Sequence, residues 1–337
     1  MTAKFGFKNG GWKFTDNYDK ELAFFGQNNV NRLNGIDMPM GDFMMPPGHA
    51  YGNKRYFVDP TNGSDSNNGL TWRTAFATFE KGIDMCRFVQ DTTTISYTDK
   101  SVRAFLFLAP GHYNETTQLL FSGYNISVIG CGIGVPGKDY GVSMNYDGTS
   151  AATAAFLLSG SGIEIHNIHI YCDAAIPALY IAGGDNNLIR NCVIECDGTN
   201  CTYGILADSM KGSRIENVYI SNAKTAGIYV QGGADHYAIH GHIAGCSIWG
   251  NINSAKGIYV DGNNTVYNFW IDGNRIQLSG GTSVIGISCE ANAMVVNNLV
   301  SVPTSADAIY HTGGEQYQIH NHTTAGVTGV DPDPAAG

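Results

Sequence analysis

One six-residue pattern, Ile-x-Asn/Gly-x-x-Ile, returns at a nearly constant interval from residue 165 onward, and it constrains the fold more than any other feature. Its copies are IHNIHI (165 to 170), IRNCVI (189 to 194), IENVYI (215 to 220), IAGCSI (243 to 248), IDGNRI (271 to 276) and VVNNLV (295 to 300), followed by a weaker IHNHTT (319 to 324). Successive copies start 24, 26, 28, 28, 24 and 24 residues apart. A second ladder interleaves with the first: ALYIAG (178 to 183), GILAD (204 to 208), GIYVQG (227 to 232), GIYVDG (257 to 262), GISCEA (286 to 291) and AIYHTG (308 to 313). Each period thus carries at least two short strands rich in β-branched residues and no segment long enough for a crossover helix. Every unit must coil and stack its strands on the next. The expected fold is all-β, a single-stranded parallel β-helix of about eight or nine coils, roughly 40 Å long at ~4.8 Å per coil.

Composition agrees with many turns between short strands. The 337 residues include 43 glycines, only 10 prolines, and 14% charged residues against about a quarter in ordinary globular chains. A balance of 19 Lys+Arg against 29 Asp+Glu gives a formal charge of −10, which repels a phosphate backbone and argues against a nucleic-acid partner. No apolar run reaches the length of a membrane span, so no membrane insertion is expected. The start, MTAKFGFKNGGWKF, lacks the apolar core of a secretory signal, so synthesis in the cytoplasm is expected.

The third position of the repeat holds Asn167, Asn191, Asn217, Asn297 or Asn321, with Gly245 and Gly273 in between. Asparagine and glycine tolerate a left-handed backbone, which predicts a turn there, with asparagine side chains hydrogen-bonding up the column. The next residue runs Ile168, Cys192, Val218, Cys246, Asn274, Asn298 and is expected to face inward. Cys192 and Cys246 then lie two coils apart, about 10 Å, beyond disulfide reach. Most of the 8 cysteines are expected as free thiols; only Cys196 and Cys201, flanking DGTN, are near enough in sequence to pair.

Upstream, VRAFLFLAPGHYNE (102 to 115), YNISVIGCG (124 to 132) and AAFLLSG (154 to 160) read as the first coils. Before them TAFATFEKGIDMCRFV (74 to 89) has apolar residues at helical spacing with Thr74 as N-cap, a helix suited to plug the open end of a solenoid. Residues 1 to 54 show no persistent period and read as an extended N-terminal arm. Its aromatics, Phe5, Phe7, Trp12, Phe14, Phe24 and Phe25, suit anchoring onto another subunit or packing back along the chain's own solenoid. Residues 55 to 325 form the β-helix domain in this reading and 326 to 337 a tail.

The stretch RYFVDPTNGSDSNNGLTWRTAFATFEKGID (55 to 84) resembles the opening of pectate-lyase-like right-handed parallel β-helix proteins, where a strand, an Asp-x-x-x-Gly-Ser-Asp loop and a capping helix precede the coils. With the asparagine ladder the likeness extends to about residue 325 and implies a right-handed solenoid. That superfamily holds polysaccharide lyases and hydrolases, phage tailspikes and non-catalytic phage virion proteins; an N-terminal arm and no signal peptide look most like the phage members. Fold likeness cannot choose among their activities.

Outward positions of the second ladder supply the candidate chemistry. Tyr180, Leu206, Tyr229, Tyr259, Ser288 and Tyr310 share a column, and Tyr229, Tyr259 and Tyr310 are candidate glycan-binding residues. The same tyrosines also suit a stabilising ladder or a subunit interface. Two positions on, the column reads Asp208, Gln231, Asp261, Glu290, Thr312. Asp261 and Glu290 on adjacent coils, with Asp208 as an accessory acid, form the carboxylate pair that glycoside hydrolysis requires, although carboxylates at strand ends commonly just face solvent. Arg190, Arg214 and Arg275 occupy different columns and do not assemble the base of a lyase. His311, His320 and His322 permit a metal site in principle, but read as solvent-facing or stacked; GSDSNNG (63 to 69) lacks the ligand register of a calcium loop. No metal or cofactor is expected.

Two functions follow. The leading expectation is a non-enzymatic bacteriophage virion structural protein, a capsid decoration or tail component located in the virion. It would be a homotrimer, anchored to capsid or tail proteins by residues 1 to 54 and displaying a β-helix open to host polysaccharide. The alternative is a tailspike-like polysaccharide depolymerase, hydrolase or lyase.

Overall fold

The structure, a computed structural model, describes residues 4–8, 11–15, 21–26, 30–33, 36–39, 54–91, 103–132, 141–148, 152–208, 210–231, 238–251, 255–262, 266–280, 283–303, 307–312, 317–324 and 326–328. The chain divides into two units, Met1–Asn53 and Lys54–Gly337.

In the first unit five strands, Lys4–Lys8, Gly11–Thr15, Glu21–Gly26, Val30–Leu33 and Ile36–Pro39, pair in sequence order as an antiparallel meander. These strands fall in the segment that the sequence analysis reads as an N-terminal arm. Phe5 lies opposite Phe14, Phe7 opposite Trp12, and Trp12 and Lys13 opposite Phe25 and Phe24. Strands of four to six residues are too short for a period to stand out. The stronger signal is the Asn-Gly pair, at Asn9-Gly10 and again at Asn34-Gly35, which favours two-residue hairpins. The side chains of the six proposed anchoring aromatics lie outside the described residues.

The second unit is a right-handed parallel β-solenoid. Three parallel sheets of ten, nine and nine strands run its length, opened by Lys54–Val58, Gly111–Glu115 and Leu119–Phe121 respectively. Each regular coil contributes three strands where the sequence showed two. The Ile-x-Asn-x-x-Ile pattern is not one strand but two, bent at its third residue: Glu164–His166 belongs to the first sheet and Ile168–Cys172 to the second. Asn167, Asn191, Asn217 and Asn297 have φ of 57, 53, 54 and 56°, and Gly245 and Gly273 of 62 and 64°. The left-handed residue turns the chain from one sheet to the next.

The last copy departs from the expected register. Val296 pairs with Ile319, so His320, with φ of 53°, takes the turn and Asn321 falls one place later. The hydrogen-bonded asparagine ladder is accordingly in the inward column, not at the turn. Asn274 Nδ2 donates to Asn298 Oδ1 and Asn298 Nδ2 to Asn321 Oδ1, both at 3.0 Å, while the backbone N–H groups of Cys246, Asn274 and Asn298 donate to the side-chain oxygen one coil on. A buried amide survives in the core because every step of the ladder is satisfied.

Elsewhere the interior is aliphatic. Ile165, Ile189, Ile215, Ile243, Ile271 and Val295 stack in register on the first sheet and are fully buried. The glycine that opens each GIYV segment serves this packing, since a Cβ at Gly227 would stand 2.7 Å from Ile248 Cγ2.

At the solenoid's first end lies helix α1, Phe79–Asp91, which begins five residues later than the sequence pattern placed it. Residues 75 to 78 are used otherwise: Phe76 bridges to Val58, and Asp65 of the GSDSNNG loop accepts hydrogen bonds from the N–H groups of Ala77 and Thr78 and from Thr78 Oγ1. Thr78 Oγ1 in turn accepts from Lys81 N, so Thr78 and not Thr74 caps the helix. Phe79 packs edge-on against Tyr113, Phe121 and Phe156, closing the core with aromatic rings.

All 8 cysteines are thiols, and only Cys131 is not fully buried. Cys196 and Cys201 are neighbours, Sγ to Sγ 2.9 Å. Cys172, in register with Cys196 one coil earlier, makes them a cluster of three.

Candidate functional site

The outer face of the third sheet gathers the tyrosines and acids. Strand pairing places Tyr180, Leu206, Tyr229, Tyr259, Ser288 and Tyr310 in one column. The following column is equally regular: the N–H groups of Asp208, Gln231, Asp261, Glu290 and Thr312 each donate to the carbonyl that precedes the column in the coil before. Both columns therefore run in the register that the sequence predicted.

Their side chains are coupled diagonally. The Tyr180 hydroxyl donates to Asp208 Oδ2, Tyr229 donates to Asp261 Oδ2 at 3.2 Å, and Tyr259 hydrogen-bonds to Glu290. Each tyrosine thus holds the acid of the next coil. Burial, then the nearby carboxylates, pushes the phenols up, Tyr259 to about 12. At neutral pH they are hydrogen-bond donors.

Tyr229 and Tyr259 stack face to face, centroids 4.8 Å apart and planes 5° from parallel. Tyr203 extends the stack, its ring 5.2 Å from Tyr229, and Lys256 Nζ sits 3.2 Å above the Tyr259 ring. Burial lowers the Lys256 ammonium, opposed by Glu290 and Asp261. Neither Tyr203 nor Lys256 was among the candidates read from sequence. Each stands one place before the glycine of its repeat, and Ala226 lies between them in register, leaving room for Tyr203 to lean onto the next coil.

Two candidates stand apart. Tyr310 is separated from Tyr259 by the fully buried Ser288 and does not continue the stack. Asp208 is only 9% exposed; its Oδ1 is buried and has no hydrogen-bond partner among the described residues. Asp261 and Glu290 remain half-buried on adjacent coils beside the rings, about 4.8 Å apart along the solenoid.

His311 is a core residue and not a surface ligand: it is fully buried, its Nε2 lies 3.2 Å from Ala291 O, and burial lowers its pKa. His320 and His322 are exposed. Among the described residues no group of three or more His, Cys, Asp or Glu is arranged to hold a metal. Arg190 and Arg214 sit in different columns and both approach Glu216, at 3.7 and 3.0 Å.

The tyrosine and acid columns line the outer side of a right-handed parallel solenoid. The chain belongs to the family described as the right handed beta helix region, whose model matches residues 153–324. No curated protein sequence matches it. Among solved structures it resembles DFA-IIIase from Arthrobacter chlorophenolicus A6, determined without its lid and in complex with GF2, with a TM-score of 0.58 and 17% identity over 83% of this chain and 76% of that one. It also resembles pectin methylesterase PemA from Erwinia chrysanthemi, with a TM-score of 0.52 and 10% identity over 82% and 91% of the two chains. Pectin methylesterase from Aspergillus niger gives a TM-score of 0.51 and 13% identity over 83% and 86%. At such identities the likeness is one of fold.

Proposed function

We propose that the protein is polysaccharide-active and that the outer face of its third sheet holds the glycan. The observation that carries this reading is the Tyr203, Tyr229 and Tyr259 stack bordered by Asp261 and Glu290 on adjacent coils. Half-buried rings offer a sugar an apolar face, and the flanking carboxylates accept its hydroxyls. The solved structures of similar fold include pectin methylesterases and an enzyme bound to GF2, which supports a carbohydrate ligand over a purely structural role. One coil step between Asp261 and Glu290 fits the pair of a retaining glycosidase, about 5 to 5.5 Å between carboxyls, in which one group protonates the leaving oxygen and the other attacks the anomeric carbon. Asp208 is set aside from this pair by its burial and its bond to Tyr180.

The test is release of new reducing ends from a panel of acidic and neutral polysaccharides by the full chain, Asp261→Asn and Glu290→Gln. Each substitution is expected to lower the rate by about 10²-fold or more. Retention on immobilised polysaccharide without cleavage would leave a binding protein, and neither retention nor cleavage would overturn the reading.

The virion proposal has its own observation, the separate unit of residues 1–53 ahead of the solenoid. A trimer in solution, and localisation of that unit within a capsid or tail by electron microscopy, are its expected results. A monomer outside any particle would remove it.

A further inference from the structure

The second sheet carries a hydrogen-bonding relay that the glycan face does not use. Ser143, His169 and Glu195 project from its outer side on three successive coils: Ser143 pairs with His169, and Glu195 is in register with Tyr171, two residues beyond His169 on the same strand. Ser143 Oγ lies 3.3 Å from His169 Nδ1. On the other edge of the ring, Nε2 is buried and 3.2 Å from Glu195 Oε2, a close contact outside hydrogen-bond alignment. All three side chains are half-buried, accessible but held by neighbours.

We propose that Ser143, His169 and Glu195 form a nucleophile, base and orienting acid for hydrolysis of small acyl esters such as acetyl esters. The arrangement has the two contacts that define such a site: nucleophile to base, and base to a third group that fixes it. With the imidazole proton on Nε2 facing Glu195, Nδ1 presents its lone pair to the Ser143 hydroxyl. Ser143 Oγ then bonds to the ester carbonyl carbon as its proton passes to Nδ1. Collapse of the tetrahedral adduct breaks the bond to the alkoxy oxygen, which takes that proton and leaves as alcohol. Water, deprotonated by the same Nδ1, next attacks the acyl carbon; Oγ leaves with the proton, releasing the acid and restoring Ser143. Asn145 stands two residues along on the same half-buried face. The two contacts, 3.3 and 3.2 Å, are within reach of proton transfer and of orientation of the base.

The experiment treats the full chain with a fluorophosphonate probe and with p-nitrophenyl acetate, beside Ser143→Ala, His169→Ala and Glu195→Gln, each checked for native circular dichroism. Mass spectrometry is expected to find the phosphonyl adduct on Ser143 and no adduct after His169→Ala. Ester turnover is expected to fall about 10²-fold or more in Ser143→Ala and His169→Ala, and less in Glu195→Gln. An unlabelled Ser143, or a Ser143→Ala protein that turns over ester at the wild-type rate, overturns the proposal. Reducing-end release plays no part in either readout, so this result is independent of the glycan reading.

Discussion

Tyr229 and Tyr259 lie ring on ring one coil apart, 4.8 Å between centroids and 5° from parallel, each with its hydroxyl bonded to the acid of the coil beyond. Parallel stacking at the strand spacing keeps identical positions in repeated contact, so a short motif written twice in sequence becomes a continuous surface. A sugar ring laid on that surface would meet aromatic carbon flanked by carboxylates.

Tyr259→Ala is expected to weaken oligosaccharide binding about fivefold by calorimetry, the loss of one aromatic contact of ~1 kcal/mol. Tyr310→Ala, outside the stack, is expected to bind as the wild type. Equal losses at both positions would count against a platform centred on Tyr229 and Tyr259.

Asn298→Ala should be the most destabilising change in the inward amide ladder. It leaves the buried backbone N–H of Asn274 without its acceptor, at ~1 to 3 kcal/mol for an unsatisfied group. It also removes the Nδ2 donor shared by Ile271 O, Val296 O and Asn321 Oδ1, whereas Asn274 Nδ2 keeps Ile243 O and Asn321 Oδ1 keeps the Asn298 N–H. Urea titration should show a clear fall in the midpoint. At the turn the logic differs: Asn217→Gly keeps the left-handed backbone and should be tolerated, whereas Asn217→Leu forces a branched side chain to φ of 54° and should cost ~1 to 2 kcal/mol.

Two glutamates give opposite pH dependences. Burial, with help from Glu80 and Asp65, pushes Glu115 up to about 7 from 4.5. Its stabilising contribution is complete below about pH 4.5 and is lost as pH rises through about 7. Glu164 is held down at about 2 by hydrogen bonding to His166 and by Arg103 and Ser127, so its contribution is complete above about pH 4.5 and is lost as pH falls toward 2. Denaturant titrations across pH should therefore find Glu115→Gln gaining on the wild type above neutrality. Glu164→Gln should lose near neutrality and converge with the wild type in acid.

Thiol accessibility provides a check on the core. Burial pushes Cys86, Cys246 and Cys289 up to about 12 and Cys192 to about 11. Brief alkylation of the native protein with iodoacetamide should mark Cys131 and spare the seven buried thiols, which should react together on unfolding. Early modification of Cys192 or Cys246 would contradict their inward placement.

The repeat interval, the β-branched residues and the asparagine turns were enough to specify a parallel solenoid with its strands in register. Each coil meets the same steric problem and solves it with the same residue types, so the periodicity survives in the linear text. The columns of tyrosines and acids were legible for the same reason. The N-terminal meander was not read, because four- to six-residue strands carry too little periodicity.

Side-chain direction and slips of a single residue emerge only once the coils are stacked. A shift of one place put His320 in the turn and Asn321 in the amide ladder. The lean of Tyr203 across Ala226, the burial of Ser288 and His311, and the meeting of Ser143, His169 and Glu195 from strands 26 residues apart likewise follow from the stacking of coils. Sequence set the period because backbone sterics act locally; the sites arose where coils distant in the chain bring their outward side chains within a few ångströms of one another.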